Sequence, residues 1–266
     1  MLLKNHTKII IYLILTFFLI IWTYPIYVAV TKSFNINGLG NYLAVLQHPK
    51  INYFRVILNS LFVSGSTALI VVIITTLGSF AFSKMRFVGS SALYLLLLAC
   101  LAVPAAAVTS PMFFTIKSLG IMGNYAGLIL PLIAFNAPLM LMMVKNYFDG
   151  IPNEIIEAAT IDGCNSLMVY RHVMLPLSMP IIANISVLTF VYSWNDYLIP
   201  LLFTRDESMY TVTIAATYFM ETRSQSPEMI AQLYAALILM TIPSVIVYLA
   251  SQKYLQAGIT AGAVKS

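Results

Sequence analysis

Six long apolar runs constrain this chain more than any other feature of its sequence. A helix needs about 20 mostly apolar residues to cross a bilayer core about 30 Å thick. The runs that meet this requirement are Ile9–Val30, Val56–Phe82, Ala92–Val108, Ala126–Val144, Ile181–Phe203 and Ala231–Ala250. Hydrophobic residues make up 60% of the chain and charged residues 9%, whereas a soluble domain carries about 25% charged residues. The sequence therefore predicts an all-α, polytopic membrane protein with six transmembrane helices.

The basic residues predict how the chain is oriented. The short turn Ser83–Ser90 places Lys84 and Arg86 beside two membrane ends, and short cytoplasmic loops are enriched in Lys and Arg. With six spans, both termini are then cytoplasmic. We predict three regions: a first helix with its outer loop (1–55), a core (56–250) and a cytoplasmic C-terminal tail (251–266). The net charge of +5 is spread along the chain without a basic patch interleaved with aromatics, which excludes nucleic acid as a partner.

A polar segment, Ile151–Pro176, separates the fourth apolar run from the fifth. Pro152 suits the first turn of a helix, because its missing N–H would be unpaired there. Glu154 and Glu157 follow, and the helix dipole favours negative charge near a helix N-terminus. The small residues Ala158 and Ala159 favour a helix and allow another surface to approach closely. A first short helix is therefore predicted here.

A turn and a second helix are predicted in the rest of this segment. Gly163 can adopt the left-handed conformation that ends a helix. Asn165 or Ser166 can cap the next helix, which we predict over Leu167–Leu175, with its end near Pro176. The whole segment is thus a helix-turn-helix between two membrane spans.

Two interpretations of this helix-turn-helix remain open on physical grounds. It can bind a soluble partner, or it can lie on the membrane surface as an amphipathic helix. Surface helices carry mainly Lys and Arg on their polar face. Here Glu154, Glu157 and Asp162 outnumber Arg171, which favours the soluble partner.

The segment resembles a known motif, the "EAA" loop in permease subunits of bacterial ABC importers. The motif is carried by Glu157-Ala158-Ala159, then Asp162-Gly163, and finally Leu175-Pro176. The run Phe190–Phe203, which reads FVYSWNDYLIPLLF, resembles the fifth span of carbohydrate importers, and Gln252–Lys265 resembles the tail of the maltose permease G protein family. The chain is identified on these residues as resembling that family.

This resemblance implies an architecture and a set of partners. It implies a type I ABC importer transmembrane domain that pairs with a homologous permease subunit as a heterodimer. Two cytoplasmic ATP-binding subunits would bind Ile151–Pro176, hereafter the coupling loop, and an extracytoplasmic solute-binding protein would bind the outer side. The lipid bilayer of a bacterial cell membrane would surround the chain. The implied coupling residues are Glu154, Glu157, Ala158, Ala159, Asp162, Gly163 and Pro176.

Catalytic and cofactor motifs are absent from the sequence. It contains no Gly-x-x-x-x-Gly-Lys-Ser/Thr loop, so we expect no bound cofactor and no ATPase activity in this chain; ATP would be bound by the partner subunits. No Cys/His cluster has metal-ligand spacing. Cys100 and Cys164 are predicted at different depths, so a disulfide between them is not expected.

Polar groups inside predicted spans are the candidates for substrate contact. Asp196 is the acidic residue inside a predicted span, and ionisable groups in the membrane usually face a cavity or a partner. Aromatic faces and hydrogen-bonding groups are what a sugar needs. The candidate substrate pathway is Tyr192, Trp194, Asn195, Asp196 and Asn136. The alternative is structural: Asp196 pairs with a neighbouring helix and Trp194 anchors at the interface.

The predicted function is a permease subunit that imports a sugar, with an oligosaccharide as the favoured class, and couples to a cytoplasmic ATPase. One alternative is an ion-coupled secondary transporter, which would need coupling-ion residues and inverted repeats. Another is an ABC permease for a solute other than a sugar. A structural or assembly subunit without a transport path is the third.

Overall fold

The computed structural model describes residues 5–220 and 226–263, and the regular elements within these ranges are helices. We number them α1 (Asn5–Ser33), α2 (Gly40–Leu46), α3 (Tyr53–Lys84), α4 (Ser90–Ala99), α5 (Ala105–Ser118), α6 (Tyr125–Asp149), α7 (Asn153–Ile161), α8 (Ser166–Leu177), α9 (Met179–Asn195), α10 (Leu198–Phe203), α11 (Val212–Met220) and α12 (Pro227–Ala263). Short 3₁₀ turns lie at Cys100–Ala102 and Glu207–Met209. The all-α prediction is confirmed. The last tail residues, 264–266, lie outside the described residues.

The described helices provide four candidate membrane spans, or up to six if each of two bent helix pairs counts as one span. Four helices are long and apolar enough to cross by themselves: Thr7–Ser33, Tyr53–Lys84, Tyr125–Asp149 and Pro227–Gln252. Two further spans are bent pairs. Ser90–Ala102 meets Ala105–Ser118 at 105°, and Ser166–Leu177 meets Met179–Asn195 at 78°. Counting each pair once gives up to six spans, although the second pair begins at Ser166, inside the coupling loop, and not at Ile181 as predicted.

The third span is not the continuous helix that the apolar run Ala92–Val108 predicts. The helical path stops at Ala102, and Val103 and Pro104 are extended, with ψ of 120° and 133°. The residue before a proline is biased toward extended backbone, because the proline ring clashes with helical geometry there. This proline explains the bend.

The fifth span was also predicted as continuous, over Ile181–Phe203, and this prediction is wrong. Helix α9 ends at Asn195, Asp196 is extended with ψ 129°, and α10 begins at Leu198. The Asp196 carboxylate accepts a hydrogen bond from the Ile199 N–H at 2.8 Å. Such a side-chain cap satisfies a donor at a helix start. Asp196 therefore stabilises the break between α9 and α10.

Residues 55–214 and 243–266 form one compact unit, which contains two hydrophobic clusters. The first cluster joins the coupling loop to the spans: Val71, Val144, Ala159, Met174 and Ile185 are buried together. The second contains Val63, Ile116, Leu132, Ile199 and Phe203. Burial of apolar area against α3, α6 and α9 therefore holds the coupling loop.

Residues 1–54 and 215–242 form a second unit. Its helix α1 has no buried residue in its most apolar stretch, as expected for a helix surrounded by lipid. The turn that follows is fixed by Asn41, whose buried side-chain amide donates to the carbonyls of Ser33 (2.9 Å) and Asn35 (2.8 Å).

Candidate functional site

The coupling loop has the predicted helix-turn-helix structure. Helix α7 follows Pro152, which occupies the capping position and not the first turn, one residue earlier than predicted. Gly163 has φ +86°, the left-handed conformation expected of it. The Asn165 side chain accepts from the Met168 N–H at 2.9 Å and caps α8. These two residues fix the angle between the short helices.

Helix α8 is longer than predicted and irregular. It runs over Ser166–Leu177 and contains a π-helical turn at Tyr170–Met174. The ring of Tyr170 packs on Phe80 with centroids 5.5 Å apart, and its hydroxyl lies 2.8 Å from Thr76 Oγ1. A π-turn inserts an extra residue into a helical turn and is often found at functional sites. No sequence pattern indicated it.

One face of α7 is buried and the other is exposed. Ala159 is buried and Ile156 is partly buried against the first cluster. The other residues predicted to couple are exposed; they are Glu154, Glu157, Ala158, Asp162, Gly163 and Pro176. The loop therefore uses its apolar face to attach to the spans and leaves its carboxylates available to another molecule.

Large apolar side chains are exposed beside these carboxylates. Ile161 is 86% exposed, Leu167 68% and Met168 46%. They flank the turn at Gly163. An apolar centre with a polar rim is the composition of a protein–protein interface. The exposure of these three residues could not be predicted from the sequence, because helical spacing alone does not show which apolar side chains the fold buries.

Lys84 connects the coupling loop to the spans, whereas Lys145 contacts residues of α6 and α4. Lys84 Nζ donates to the Ile151 carbonyl at 2.7 Å and to Asn153 Oδ1 at 2.9 Å. Lys145 forms a 2.7 Å ion pair with Asp149 and lies 4.8 Å from the centre of the Tyr94 ring. In the sequence Lys84 served only as an indicator of orientation. The contacts join positions up to 69 residues apart, which no local pattern predicts.

A cavity of about 450 Å³ opens beside this connection. It is lined by Ser83, Lys84, Asp149, Gly150, Ile151, Pro152, Asn153 and Glu154. Its walls carry both signs of charge. It is therefore a polar cleft at the base of the coupling loop.

Three of the five candidate substrate residues line one cavity. It measures about 290 Å³ and lies between α6, α9 and α10, where Asn136, Tyr192 and Asp196 meet a mostly apolar wall. The Asn136 amide donates to Leu132 O at 2.7 Å, which leaves its Oδ1 as an acceptor. Tyr192 is 51% exposed. The cavity therefore offers an aromatic surface, an amide oxygen and a carboxylate.

The other two candidates do not line this cavity. Trp194 is 2% exposed and stacks on Phe190, with ring centroids 5.6 Å apart. Asn195 is exposed, and its amide donates back to Val191 O at 2.8 Å. Trp194 is therefore part of the packing of α9.

The connection after α10, Thr204–Ile230, is called the outer loop, because the predicted topology places it outside the cytoplasm. Its sequence carries charged residues at both ends of an apolar stretch. The apolar part forms α11, in which Val212 and Ile214 are buried. Arg205, Asp206 and Glu207 are exposed, whereas Glu221 and Arg223 lie outside the described residues. Hydrogen bonds from the Ser208 backbone and hydroxyl lower the pKa of Asp206, so this carboxylate is charged at neutral pH.

Metal ligands do not cluster in the described parts of the chain. Within residues 5–220 and 226–263, no three His, Cys, Asp or Glu side chains come close enough to hold an ion.

Comparisons with known sequences identify the family. The model of the family described as "Binding-protein-dependent transport system inner membrane component" matches residues 74–261. The chain is 32% identical to the trehalose/maltose transport system permease protein MalG of Thermococcus litoralis, over 85% of this chain and 81% of that protein. It is 33% identical to the osmoprotective compounds uptake permease protein GgtD of Synechocystis, over 86% and 75%. It is 29% identical to the melibiose/raffinose/stachyose import permease protein MelC of Bacillus subtilis, over 78% and 75%.

A solved structure shares the fold. A chain in the crystal structure of a bacterial ABC transporter involved in the import of the acidic polysaccharide alginate superposes with a TM-score of 0.70, at 14% identity and over 98% of both chains. The predicted fold class, an importer transmembrane domain, is thereby confirmed. Because the family match covers most of the chain and the relatives align over three quarters or more of their own lengths, this multi-pass membrane protein belongs to the family of binding-protein-dependent transport system inner membrane components, the permease subunits of ABC importers.

Proposed function

We propose that this permease subunit forms part of the path for a sugar of two or more rings and receives the ATPase signal through its coupling loop. One observation carries the proposal. Ile161 and Leu167 are exposed beside Glu157 on a helix-turn-helix whose opposite face is buried in the spans. An exposed apolar group in water is unfavourable by about 25 cal/mol per Å², so this surface favours a bound partner.

The relatives and the cavity support a sugar as the substrate. Two of the relatives are named for the transport of di- and oligosaccharides. In this chain the cavity formed by Asn136, Tyr192 and Asp196 supplies a few polar groups on a mostly apolar wall, the usual composition of a small-molecule site. A tyrosine ring can cover the C–H face of a sugar while the two acceptors bind hydroxyl groups.

The partners follow from the family and from the exposed surfaces. We propose a heterodimer with a homologous permease subunit, two cytoplasmic ATP-binding subunits on the coupling loops, and an extracytoplasmic solute-binding protein. ATP binds the ATPase subunits. This chain transmits their conformational change from the coupling loop to the substrate path.

Co-purification tests this proposal against its alternatives. The partner ATPase should remain bound to the permease through detergent extraction and size-exclusion chromatography, and Ile161→Asp should release it. A secondary transporter or an assembly subunit would show no such dependence on a coupling-loop residue. A complex with normal transport and no ATPase would refute the proposal.

We propose that both termini are cytoplasmic, and cysteine labelling tests this orientation. In a variant lacking Cys100 and Cys164, an impermeant thiol reagent added to sealed cells should modify Asn37→Cys but not Ile161→Cys. Both positions are exposed in the chain, Ile161 at 86%, so exposure does not separate them. Permeabilised cells provide the control, because both positions should then react. Labelling of position 161 in sealed cells would contradict the orientation. Glu221, a second outer position by sequence, lies outside the described residues.

We also propose that Asp206 and Glu207 contribute to binding of the solute-binding protein, because surface charges set association rate and register. Asp206→Asn removes the charge but keeps the oxygen that accepts from the Ser208 N–H at 2.7 Å. We expect ATP hydrolysis stimulated by the binding protein to slow a few-fold at low salt, with basal hydrolysis unchanged. The difference should disappear at high salt, where charges are screened. Equal stimulation of wild type and variant at low salt would remove Asp206 from the binding surface.

A further inference from the structure

Among the candidate spans of the described residues, helix α3 is the one without a proline or a break. It extends without interruption over 32 residues, Tyr53–Lys84, which corresponds to about 48 Å. The other spans contain prolines or breaks, whereas α3 has neither. Because proline removes a hydrogen bond and bends a helix, α3 is the element that can move as one rigid body.

The outer end of α3 holds the outer loop. The Asn59 amide donates to the carbonyls of Ser208 (2.8 Å) and Tyr210 (3.0 Å), and its oxygen accepts from the Tyr125 hydroxyl at 2.7 Å. The buried Asn59 side chain, which is 5% exposed, therefore connects one turn of the outer loop to α3. Beside it, Ser60 Oγ accepts from the Val212 N–H at 2.8 Å.

The inner end of α3 holds the coupling loop. Lys84 is its last residue and binds the Ile151 carbonyl and the Asn153 side chain, at the start of α7. About two turns further into the membrane, Thr76 Oγ1 lies 2.8 Å from the Tyr170 hydroxyl. The ammonium group of Lys84 also suits a helix C-terminus, where positive charge is stabilised. Both ends of the coupling loop are thus attached to one helix.

We propose that Asn59 and Lys84 are positioning residues that fix the outer loop and the coupling loop to the same rigid helix. A displacement of the outer loop then moves the coupling loop through α3. This inference rests on the proposed function, in which the outer loop binds the solute-binding protein and the coupling loop binds the ATPase. Both residues and all their partners lie in the unit formed by residues 55–214 and 243–266.

Hydrogen–deuterium exchange of the full chain in nanodiscs tests the proposal, measured on the chain alone and on the chain assembled with its partner subunits. Asn59→Leu and Lys84→Met each remove one set of contacts. We expect Asn59→Leu to raise amide exchange about tenfold in Asn153–Ile161 as well as in the outer loop. Lys84→Met should raise it in residues 207–213 as well as in the coupling loop. Lys84→Arg, which keeps charge and donors, should restore the wild-type pattern.

Two neighbouring threonines supply a matched control. Both are buried, and valine replaces each with little change of volume. Thr76→Val removes the contact with Tyr170, whereas Thr75 donates to Val71 O of its own helix at 2.6 Å. Thr76→Val should raise exchange in the coupling loop and the outer loop, and Thr75→Val in neither.

The result that overturns the proposal is a change confined to the mutated end in Asn59→Leu, Lys84→Met and Thr76→Val alike. That pattern means that each contact is only a local support. The exchange measurement is internal to the chain, so it remains decisive even if the ATPase fails to co-purify and the proposed function falls.

Discussion

Gly163→Pro should strongly lower transport while the chain still inserts into the membrane. Gly163 has φ +86°, and proline is fixed near −65°. Proline would also remove the N–H that donates to Thr160 O at 3.0 Å. A misplaced proline costs about 3 kcal/mol or more, and every 1.4 kcal/mol is a factor of about ten. We therefore expect uptake to fall about a hundredfold, together with ATPase co-purification.

Gly163→Asn is the matched control for this variant. Asparagine tolerates the left-handed conformation better than other residues with a side chain, and a Cβ at position 163 would meet no atom within 4 Å. Transport should be largely kept.

Glu157→Lys tests the surface without changing the turn, because Glu157 is exposed. This variant should weaken ATPase binding about tenfold. Normal uptake in both Gly163→Pro and Glu157→Lys would show that the coupling loop does not couple.

Asp196→Ala should have the second-largest effect. The carboxylate lines the cavity and caps α10 through the Ile199 N–H. Hydrogen bonds to charged groups contribute about 1.5–3 kcal/mol, so loss of a sugar contact should lower uptake about ten- to a hundredfold. Asp196→Asn keeps an oxygen for the cap and separates the two roles. If it transports normally while the alanine variant fails, the residue acts through the helix cap.

Asn195→Ala is the control for the cavity. Asn195 is the neighbour of Asp196, but its amide bonds to its own helix and it does not line the cavity. Uptake by this variant should stay within about two-fold of wild type, since surface substitutions away from specific contacts have small effects. The measurement is the concentration dependence of labelled trehalose, maltose and raffinose uptake. A larger loss in Asn195→Ala than in Asp196→Ala would move the substrate path away from this cavity.

Local chemistry made the turn of the coupling loop predictable. Gly163 has a left-handed conformation that few other residues adopt, and Asn165 caps a helix with its side chain. Both roles could therefore be predicted without knowledge of the fold. The apolar runs likewise located the four long spans and the apolar part of each bent pair, because a span of about 20 apolar residues gives a high average hydropathy. That same averaging hid the break at Asp196. Hydropathy is read over a window of about 19 residues, and one capping carboxylate does not change such a window.

Long-range geometry could not be predicted. The cavity combines Asn136 with Tyr192 and Asp196, which come from different helices, and its lining depends on how α6 and α9 pack. Trp194 shows the same limit, because two positions along a helix rotate a side chain to another face. The sequence put it beside Tyr192 in one candidate group, whereas the fold buries it against Phe190. The role of Lys84 depends on Asn153, 69 residues away.

Reconstituted transport tests the central claim most directly. The chain, its partner permease and their ATPase are placed in proteoliposomes with the binding protein outside and ATP inside, and labelled trehalose, maltose and raffinose are supplied in turn. We predict accumulation of at least one of these sugars that requires ATP, the binding protein and an intact coupling loop, and that is lost in Gly163→Pro. Uptake driven by a proton or sodium gradient without the ATPase would contradict the account.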